Sequence, residues 1–514
     1  MKENKNLDKA FLGHPKPLFS LSMVEVWERF SFYGIRPLLV LFMTAAIASG
    51  GLGLSKEYAS AIAGIFGAFV YLAVLPGGWL ADNYLGQRKA VFIGSIIIAF
   101  GHLSIALSYF VPAMFFMGLV FIVIGTGLFK TCASVMVGML YEKDDPRRDS
   151  GFTIFYMGIN LGAFVAPFIT GFLQVQYGWH FGFGAGGIGM LIAIAVFQFC
   201  TVPNFEEFRD KVRLDETWDK PLKQNKNALY VILLSILAVV AIAFFIFSDS
   251  VSINPVTIAK NMVAVILTCA LIYFVYLLFF SSLEAHEKKN LLFFIIFFFA
   301  AALFWSVFEQ QYTSFNFFAE TLTDRKAFGF EIPTVWFQTI NAFFIVVLAP
   351  LMGAIWIFFA NRNFEISSIT KFALGLIGGA AGFAVMALAS QSIIDNNGGV
   401  DSAMSAIEAG IGVLASPWWL VVSYLFLSLG ELCLSPVGLS IMTKIAPNLI
   451  KSQVMGLWFI ASSVGNAMAG LIGGEANSDN LGSLPDLLYK CVWILLIVAA
   501  ILFIIKKFVK NDVA

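Results

Sequence analysis

The sequence contains little charge. Only 12% of its 514 residues are Asp, Glu, Lys or Arg, while 59% are hydrophobic. Soluble domains carry about 25% charged residues, so a soluble globular chain is excluded. Apolar runs long enough to cross the roughly 30 Å hydrocarbon layer recur from end to end. Because helices satisfy their own backbone hydrogen bonds in lipid, we predict an all-α integral membrane protein with many spans.

Cysteine and histidine are scarce, with five and four residues. The cysteines stand singly in apolar stretches, without the spacing of a disulfide framework, redox motif or zinc site: Cys132, Cys200, Cys269, Cys433 and Cys491. No His, Asp and Cys constellation suggests catalysis, and His102 and His180 favour structural roles near span ends. We therefore expect no enzyme, metal or cofactor, and the formal net charge of zero indicates no nucleic-acid partner.

Fourteen segments are predicted to span the membrane: 18–48, 55–80, 88–109, 112–140, 150–173, 181–201, 228–248, 258–281, 290–319, 332–360, 369–391, 417–443, 452–473 and 484–508. Spans 228–248 and 258–281 have uncharged central stretches and are interpreted as an accessory pair. The predicted domains are an N-terminal six-helix bundle (1–201), a cytoplasmic linker (202–227), an accessory hairpin (228–283) and a C-terminal six-helix bundle (284–514). In the linker, Phe205, Phe208 and Val212 share one side of an amphipathic helix.

The positions of Lys and Arg predict the orientation. With the N-terminus inside, 24 of the 32 Lys and Arg residues fall in cytoplasmic segments and five outside, with three in spans. This bias places both termini in the cytoplasm. The polar N-terminus up to Pro17 lacks a small-residue cleavage site after a short apolar core, so we expect no cleaved signal peptide.

The first span carries the unusual stretch EVWERFSFYGIR, residues 25–36. On a helix, six of its residues lie within an arc of about 140°: Glu25, Glu28, Arg29, Phe32, Tyr33 and Arg36. Each ionised group at mid-bilayer costs roughly 2.5–3.5 kcal/mol, so this stripe must face protein or water. One interpretation is a static structural ion-pair cluster.

A polar transport pathway is the favoured interpretation, because other spans also carry ionisable groups: Lys130, Glu309 and Glu431. Together with the first span, they make three cations against four carboxylates. One added proton would neutralise this set, and we therefore put forward a proton-coupled carrier as a hypothesis. Buried carboxylates titrate closer to neutral pH than those in water.

Several motifs resemble known families. GGWLADNYLGQRK, around Asp82, resembles the cytoplasmic loop of the major facilitator superfamily. Six ordered motifs resemble the proton-dependent oligopeptide transporter (POT/PTR2) family, which includes prokaryotic di- and tripeptide:proton symporters: EVWERFSFYG, GTGLFK, FTIFYMGINLGAF, FWSVFEQ, WFQTIN and GELCLSPVGLS. The resemblance implies two six-helix bundles plus an accessory hairpin that alternate access to a central site, in a multi-pass protein of the bacterial cytoplasmic membrane.

The resemblance also implies residue roles. Proton coupling falls to Glu25, Glu28, Arg29, Lys130 and Glu309, with the proton as coupling ion. Substrate-binding candidates are Tyr33, Arg36, Tyr71, Lys130, Asn160, Trp305, Glu309, Asn341, Glu431, Trp458 and Ser462. Arg36 and Lys130 would receive the peptide carboxylate. Asn160, Asn341 and Glu309 would receive its amine, and aromatic walls would tolerate many side chains. The expected partners are small peptides and the lipid bilayer, without an obligate protein partner.

Two departures from the family pattern concern this site. Phe32 replaces the first tyrosine of a Tyr-Tyr pair, and Thr131 replaces the proline that usually follows the lysine. The second span also lacks the histidine of mammalian relatives, which leaves proton handling to carboxylates. Alternatives are a proton-coupled carrier of another small substrate, such as nitrate, an amino acid or a peptide-like compound, a membrane enzyme, or a peptide-sensing receptor. The retained acidic residues favour a zwitterionic cargo.

Overall fold

The computed structural model of the chain describes residues 7–507, except 143–144, 146, 213–218, 220, 222–229, 231–233, 235–236, 238–240, 242–253, 328, 363–365, 446–453, 478 and 480. Across these residues the chain is almost entirely helical. The helices are α1 Lys16–Thr44, α2 Lys56–Leu72, α3 Val74–Leu80, α4 Gln87–Leu107, α5 Ala113–Gly138, α6 Arg148–Tyr177, α7 Trp179–Val196, α8 Val202–Val212, α9 Pro255–Val275, α10 Ala285–Phe308, α11 Ser314–Thr321, α12 Thr339–Ala360, α13 Ser368–Asn396, α14 Val400–Glu408, α15 Trp418–Ile445, α16 Val454–Glu475 and α17 Leu484–Lys506. A short antiparallel pair, β1 Lys326–Ala327 and β2 Phe330–Glu331, lies between α11 and α12.

Within this described part of the chain, twelve helical stretches are long and apolar enough to cross a membrane. The 29-residue helix α1 is long enough as well, but its four interior charges lower its hydropathy. These thirteen helices match thirteen of the fourteen predicted spans. The remaining prediction, 228–248, lies largely outside the described residues, although positions 230, 234, 237 and 241 are helical.

Helix ends follow local sequence signals. The side chain of Asn254 accepts hydrogen bonds from two backbone amides in the first turn of α9, directly ahead of Pro255. Glu284 and Glu287 form a reciprocal capping box at the start of α10. Gly86 and Gly178 adopt left-handed φ angles of 77° and 96° at the junctions before α4 and α7. These residues fix where neighbouring spans begin.

Two of the matched spans contain a break in their α-helix that the sequence did not predict. The 55–80 span breaks at Ala73, because Pro76 lacks the amide that would continue the α2 hydrogen-bond ladder. The 290–319 span ends as an α-helix at Phe308 and continues as a 3₁₀ turn, Glu309–Tyr312, before α11. There Gln310 donates to the Ser306 carbonyl at 3.0 Å, so side chains supply hydrogen bonds at the break.

The chain divides into two compact units. Unit 1 comprises Met1–Leu38, Ala45–Leu52 and Phe69–Ile253, and unit 2 comprises Leu39–Thr44, Gly53–Ala68 and Asn254–Ala514. The second helix of the predicted accessory hairpin, α9, belongs to unit 2. Its Phe274 packs edge-on against Phe294 and Phe298 of α10, with centroid distances of 6.2 and 5.3 Å.

The linker begins as helix α8 in unit 1. Phe205 and Phe208 are fully buried on one side of this helix, and the cytoplasmic linker stays a prediction. The side chain of Val212 lies outside the described residues. On other sides of α8, Glu207 pairs with Lys16 at 2.8 Å and Glu206 pairs with Arg88 at 2.9 Å.

Glycines set the close helix packing in unit 1. Gly94 and Gly101 of α4 face Gly125 and Gly118 of α5, where each backbone occupies the space a neighbouring Cβ would need. Gly162 brings α6 against α1: a Cβ at position 162 would lie 2.9 Å from the Phe30 amide nitrogen. Small residues at these contacts let backbones approach, which is a major source of helix association in membranes.

Replacing Gly162 by leucine should therefore destabilise unit 1. We expect the yield of monodisperse protein in detergent to fall sharply and the Tm to drop by at least about 5 °C, since overpacking costs about 1–3 kcal/mol or more. Gly184→Leu is the matched control, because a Cβ at Gly184 of α7 meets no atom within 4 Å. Equal Tm values for the two variants would contradict this packing account.

Candidate functional site

The charged stripe of α1 forms a buried ion cluster in unit 1. The Arg29 Nε lies 3.1 Å from Glu25 Oε1 and also pairs with Glu28. All three side chains are almost completely buried, with at most 3% of each residue exposed. Glu25 and Arg29 are thus paired at i, i+4 along α1, and a second acid shares the same guanidinium. Two carboxylates facing one guanidinium leave a negative excess that a nearby cation or a proton can balance.

Phe32 lies beside two guanidinium groups of the same helix. Arg29 Cζ is 5.6 Å and Arg36 Cζ 5.5 Å from the centre of its ring, within cation–π range. The Phe32 ring also meets Tyr33 edge-on, with a centroid distance of 5.2 Å. The departure from tyrosine therefore places an apolar aromatic ring between the ion cluster and the cation predicted to bind substrate.

Lys130 approaches the ion cluster from another helix. It lies on α5, close enough to Glu25 and Glu28 to interact electrostatically with both. Its Nζ sits 4.2 Å from the centre of the Tyr71 ring, on α2. The structure thus brings together the candidates of α1, α2 and α5 that the sequence predicted. Gly127, one turn before Lys130, packs against the Ala73 backbone and fixes this approach.

Asn160 lies on α6, the helix that packs against α1 through Gly162. Its side-chain amide donates to the carbonyl of Tyr156, one turn earlier, at 3.0 Å, and its side chain is partly exposed. This hydrogen bond keeps the amide along its own helix, so the structure does not place it in the ion cluster.

Unit 2 contains an acid–amide pair. The Asn341 amide, in the first turn of α12, donates to Ser428 Oγ at 2.9 Å and to Glu431 Oε2 at 3.2 Å, both on α15. The Glu431 carboxyl is also close enough to Glu309 to interact with it electrostatically. Three of the predicted residues of this unit, Glu309, Asn341 and Glu431, therefore form one group.

Two aromatic residues of α10, Trp305 and Phe308, directly precede the Glu309 turn. Glu309 is 4% exposed and begins the 3₁₀ turn after α10, one turn beyond Trp305. The Trp305 ring packs edge-on against Phe308 at a centroid distance of 5.4 Å. The α10 chain at Trp305 and Ser306 lies against Gly465 of α16. A Cβ added at Gly465 would be only 3.0 Å from the Ser306 amide nitrogen.

The two remaining candidates lie on α16. Trp458 packs its indole against Gly438 of α15, and Ser462, one turn later, donates to the Trp458 carbonyl at 3.3 Å. Both residues are buried, at 8% and 2% exposed. The Ser462 hydroxyl is thus engaged with its own helix, and Trp458 offers the larger contact surface.

The sequence reasoning missed a set of buried uncharged polar side chains next to Glu309: Gln310, Gln311, Ser314, Asn316 and Gln338. For Gln310, Gln311 and Ser314 the signal was the polar run EQQYTS within an otherwise apolar span. They join the break after α10 to the start of α12. Among the residues described, no three His, Cys, Asp or Glu side chains group closely enough to hold a metal ion.

Comparison with known proteins identifies the family. The PTR2 signature, described as the POT family, matches residues 88–478, which is most of the chain. A peptide transporter of Yersinia enterocolitica, YePEPT, is 52% identical over 97% of this chain and 95% of its own length. The chain belongs to the POT family. This POT protein is accordingly a multi-span membrane transporter and not an enzyme.

More distant POT relatives give the same result. A di-/tripeptide transporter of Lactococcus lactis is 34% identical over 91% of both chains. A crystal structure of the peptide transporter POT in complex with sulfate superposes with a TM-score of 0.82, at 34% identity, over 97% of this chain and 95% of the other. The predicted major facilitator superfamily fold is thereby confirmed.

Proposed function

We propose that this POT transporter takes up di- and tripeptides across the bacterial cytoplasmic membrane together with protons, by alternating access. The observation that carries the proposal is the charge content of each unit taken by itself. Unit 1 holds Arg36 and Lys130 near the Glu–Arg–Glu cluster, whereas unit 2 holds the acidic group of Glu309, Glu431 and Asn341.

A short peptide is a zwitterion, so its recognition needs a cationic and an acidic partner. The carboxylate of the peptide matches Arg36 and Lys130, since guanidinium and ammonium groups form charge-assisted hydrogen bonds with carboxylates. Its amine matches Glu309 and Asn341. An anion carrier would gain nothing from the buried acids of unit 2, which favours a peptide over nitrate.

The buried carboxylates are the proposed proton carriers. Arg29 is shared by Glu25 and Glu28, and Lys130 completes the charge balance of that cluster. When a proton binds one of the acids, a cation becomes available to the peptide carboxylate, so proton and peptide binding favour each other. The positive-inside bias supports the proposal that both termini lie in the cytoplasm.

Uptake of labelled dialanine into liposomes tests this function. With an inside-negative, inside-alkaline gradient, we expect dialanine to accumulate above its external concentration, and without the gradient only to equilibrate. Unlabelled dipeptide should compete, whereas nitrate should not. Dialanine uptake that does not depend on the gradient would refute proton symport. Competition by nitrate but not by unlabelled dipeptide would favour an anion carrier.

Phe32→Leu should weaken peptide binding. The leucine keeps an apolar side chain but removes the ring beside Arg29 and Arg36, so two cation–π contacts of about 0.5–2 kcal/mol each are lost. We expect the KM for dialanine to rise about fivefold, while Phe32→Tyr, which keeps the ring, stays near wild type. Phe100→Leu, at a side chain of α4 that is 56% exposed, serves as control. An unchanged KM for Phe32→Leu would rule out this role.

A further inference from the structure

Gln338 is a buried amide that the proposed site does not yet account for. It is the last residue of the 3₁₀ turn Thr334–Gln338, directly before α12, and only 7% of it is exposed. Its Nε2 donates to the backbone carbonyl of Gln311 at 2.5 Å and to Asn316 Oδ1 at 2.9 Å. One side chain thus makes two buried hydrogen bonds to a different part of the chain.

Both acceptors of Gln338 lie in or just after the helix break that begins at Glu309. Gln311 belongs to the 3₁₀ turn that Glu309 begins, and Asn316 lies in α11, just beyond that turn. The hydroxyl of Ser314, the first residue of α11, donates to Oε1 of Gln310 in the 3₁₀ turn at 3.1 Å. Since the ordinary helix ladder is interrupted here, side-chain hydrogen bonds determine where the Glu309 turn sits.

Gln338 also lies close in the chain to Asn341, which binds Glu431, the second acidic residue of unit 2. Asn341, which hydrogen-bonds to Glu431, follows it by three residues, one turn along α12. The hydrogen bond from Asn341 to Glu431 joins the first turn of α12 to α15. The arrangement of residues 338–341 therefore affects both acids of unit 2, Glu309 through the Gln338 hydrogen bonds and Glu431 through Asn341.

We propose that Gln338 is a positioning residue of the site: its amide holds the Glu309 turn and the Asn341 turn in one fixed arrangement. This inference rests on the proposed function of Glu309 and Asn341. A site that binds a small dipolar molecule needs its polar groups held within about 0.5 Å of their productive positions. In this proposal Gln338 acts on the site through these two turns.

The test compares Gln338→Met with wild type in counterflow, where dialanine exchanges without net proton movement. Methionine matches glutamine in length but cannot donate, so both buried hydrogen bonds of Gln338 are lost and we expect the KM to rise about tenfold. Gln391→Met, at an exposed glutamine of α13, is the matched control and should leave KM unchanged.

A positioning role is distinguished from a general structural role by combining variants. In a Glu309→Gln background, Gln338→Met should raise KM by clearly less than it does in wild type, because part of its effect passes through the Glu309 turn. Multiplication of the two single effects, or an unchanged KM in Gln338→Met, would overturn the proposal.

Hydrogen exchange decides the same question without any transport. In Gln338→Met, backbone amides of residues 309–316 and 339–345 should exchange about tenfold faster than in wild type, while those of α13 keep their rate. If wild type fails to transport dialanine, the proposed function fails, but faster exchange confined to these two segments would still support the positioning role. Unchanged exchange there would refute it.

Discussion

Lys130→Ala should abolish gradient-driven accumulation of dialanine in liposomes, to below about a tenth of the wild-type level. Lys130 supplies the second cation of the buried cluster, in which Glu25 and Glu28 share Arg29. Without it, charge balance requires one of the two carboxylates to keep its proton throughout the cycle, because an unpaired buried charge costs several kcal/mol. A cluster that never releases its proton cannot couple to the gradient.

The matched control for Lys130→Ala is Lys260→Ala. Lys260 lies on α9, is exposed, and belongs to the accessory pair. Its replacement should leave accumulation at the wild-type level. Both variants should first be shown to be monodisperse in detergent, since Lys130 also contacts the Tyr71 ring and contributes to packing. Accumulation by folded Lys130→Ala that equals wild type would count against its coupling role.

Glu309→Gln is expected to lose gradient-driven accumulation as well, but to retain counterflow with a raised KM. Glutamine keeps the shape and one acceptor of glutamate, yet it carries no charge and cannot bind and release a proton. Glu309 and Glu431 are close enough to interact electrostatically, so unit 2 would keep only one acid for the peptide amine. Loss of a charge-assisted hydrogen bond costs about 1.5–3 kcal/mol, which corresponds to a rise in KM of at least about tenfold.

The control for this variant is Glu408→Gln, at an exposed glutamate of α14. It removes the same charge from the same unit but should leave both assays unchanged. The contrast between the two assays is decisive for Glu309. If Glu309→Gln still accumulates dialanine, protons do not pass through this carboxyl. If the variant loses both counterflow and accumulation, Glu309 is a binding residue alone.

The cation-rich part of the site could be predicted from the sequence because helical periodicity constrains it. Residues 25–36 fall on one face of any α-helix, and burial of charge forces that face toward protein or water. The structure accordingly pairs Glu25 with Arg29 and places Lys130 in range. Ordered motifs of the POT family supplied the remaining residue roles, which periodicity alone could not.

The helix break at Glu309 could not be predicted, because hydropathy averaged over a span does not report how backbone hydrogen bonds are arranged. The segment 309–313 is short and flanked by strongly apolar sequence, so its average hydropathy favours a continuous helix. Gln338 was missed for a related reason: it is uncharged, and its importance depends on two acceptors that lie 22 and 27 residues earlier in the chain. Such partners follow from tertiary packing.

Simultaneous measurement of proton and peptide movement tests the central claim most directly. Liposomes containing the transporter and an internal pH-sensitive dye, with no initial pH difference and the membrane potential clamped at zero, receive external dialanine. We predict internal acidification that begins with dialanine addition and is absent in folded Lys130→Ala. Entry of labelled dialanine into wild-type liposomes with no change of internal pH would contradict the account.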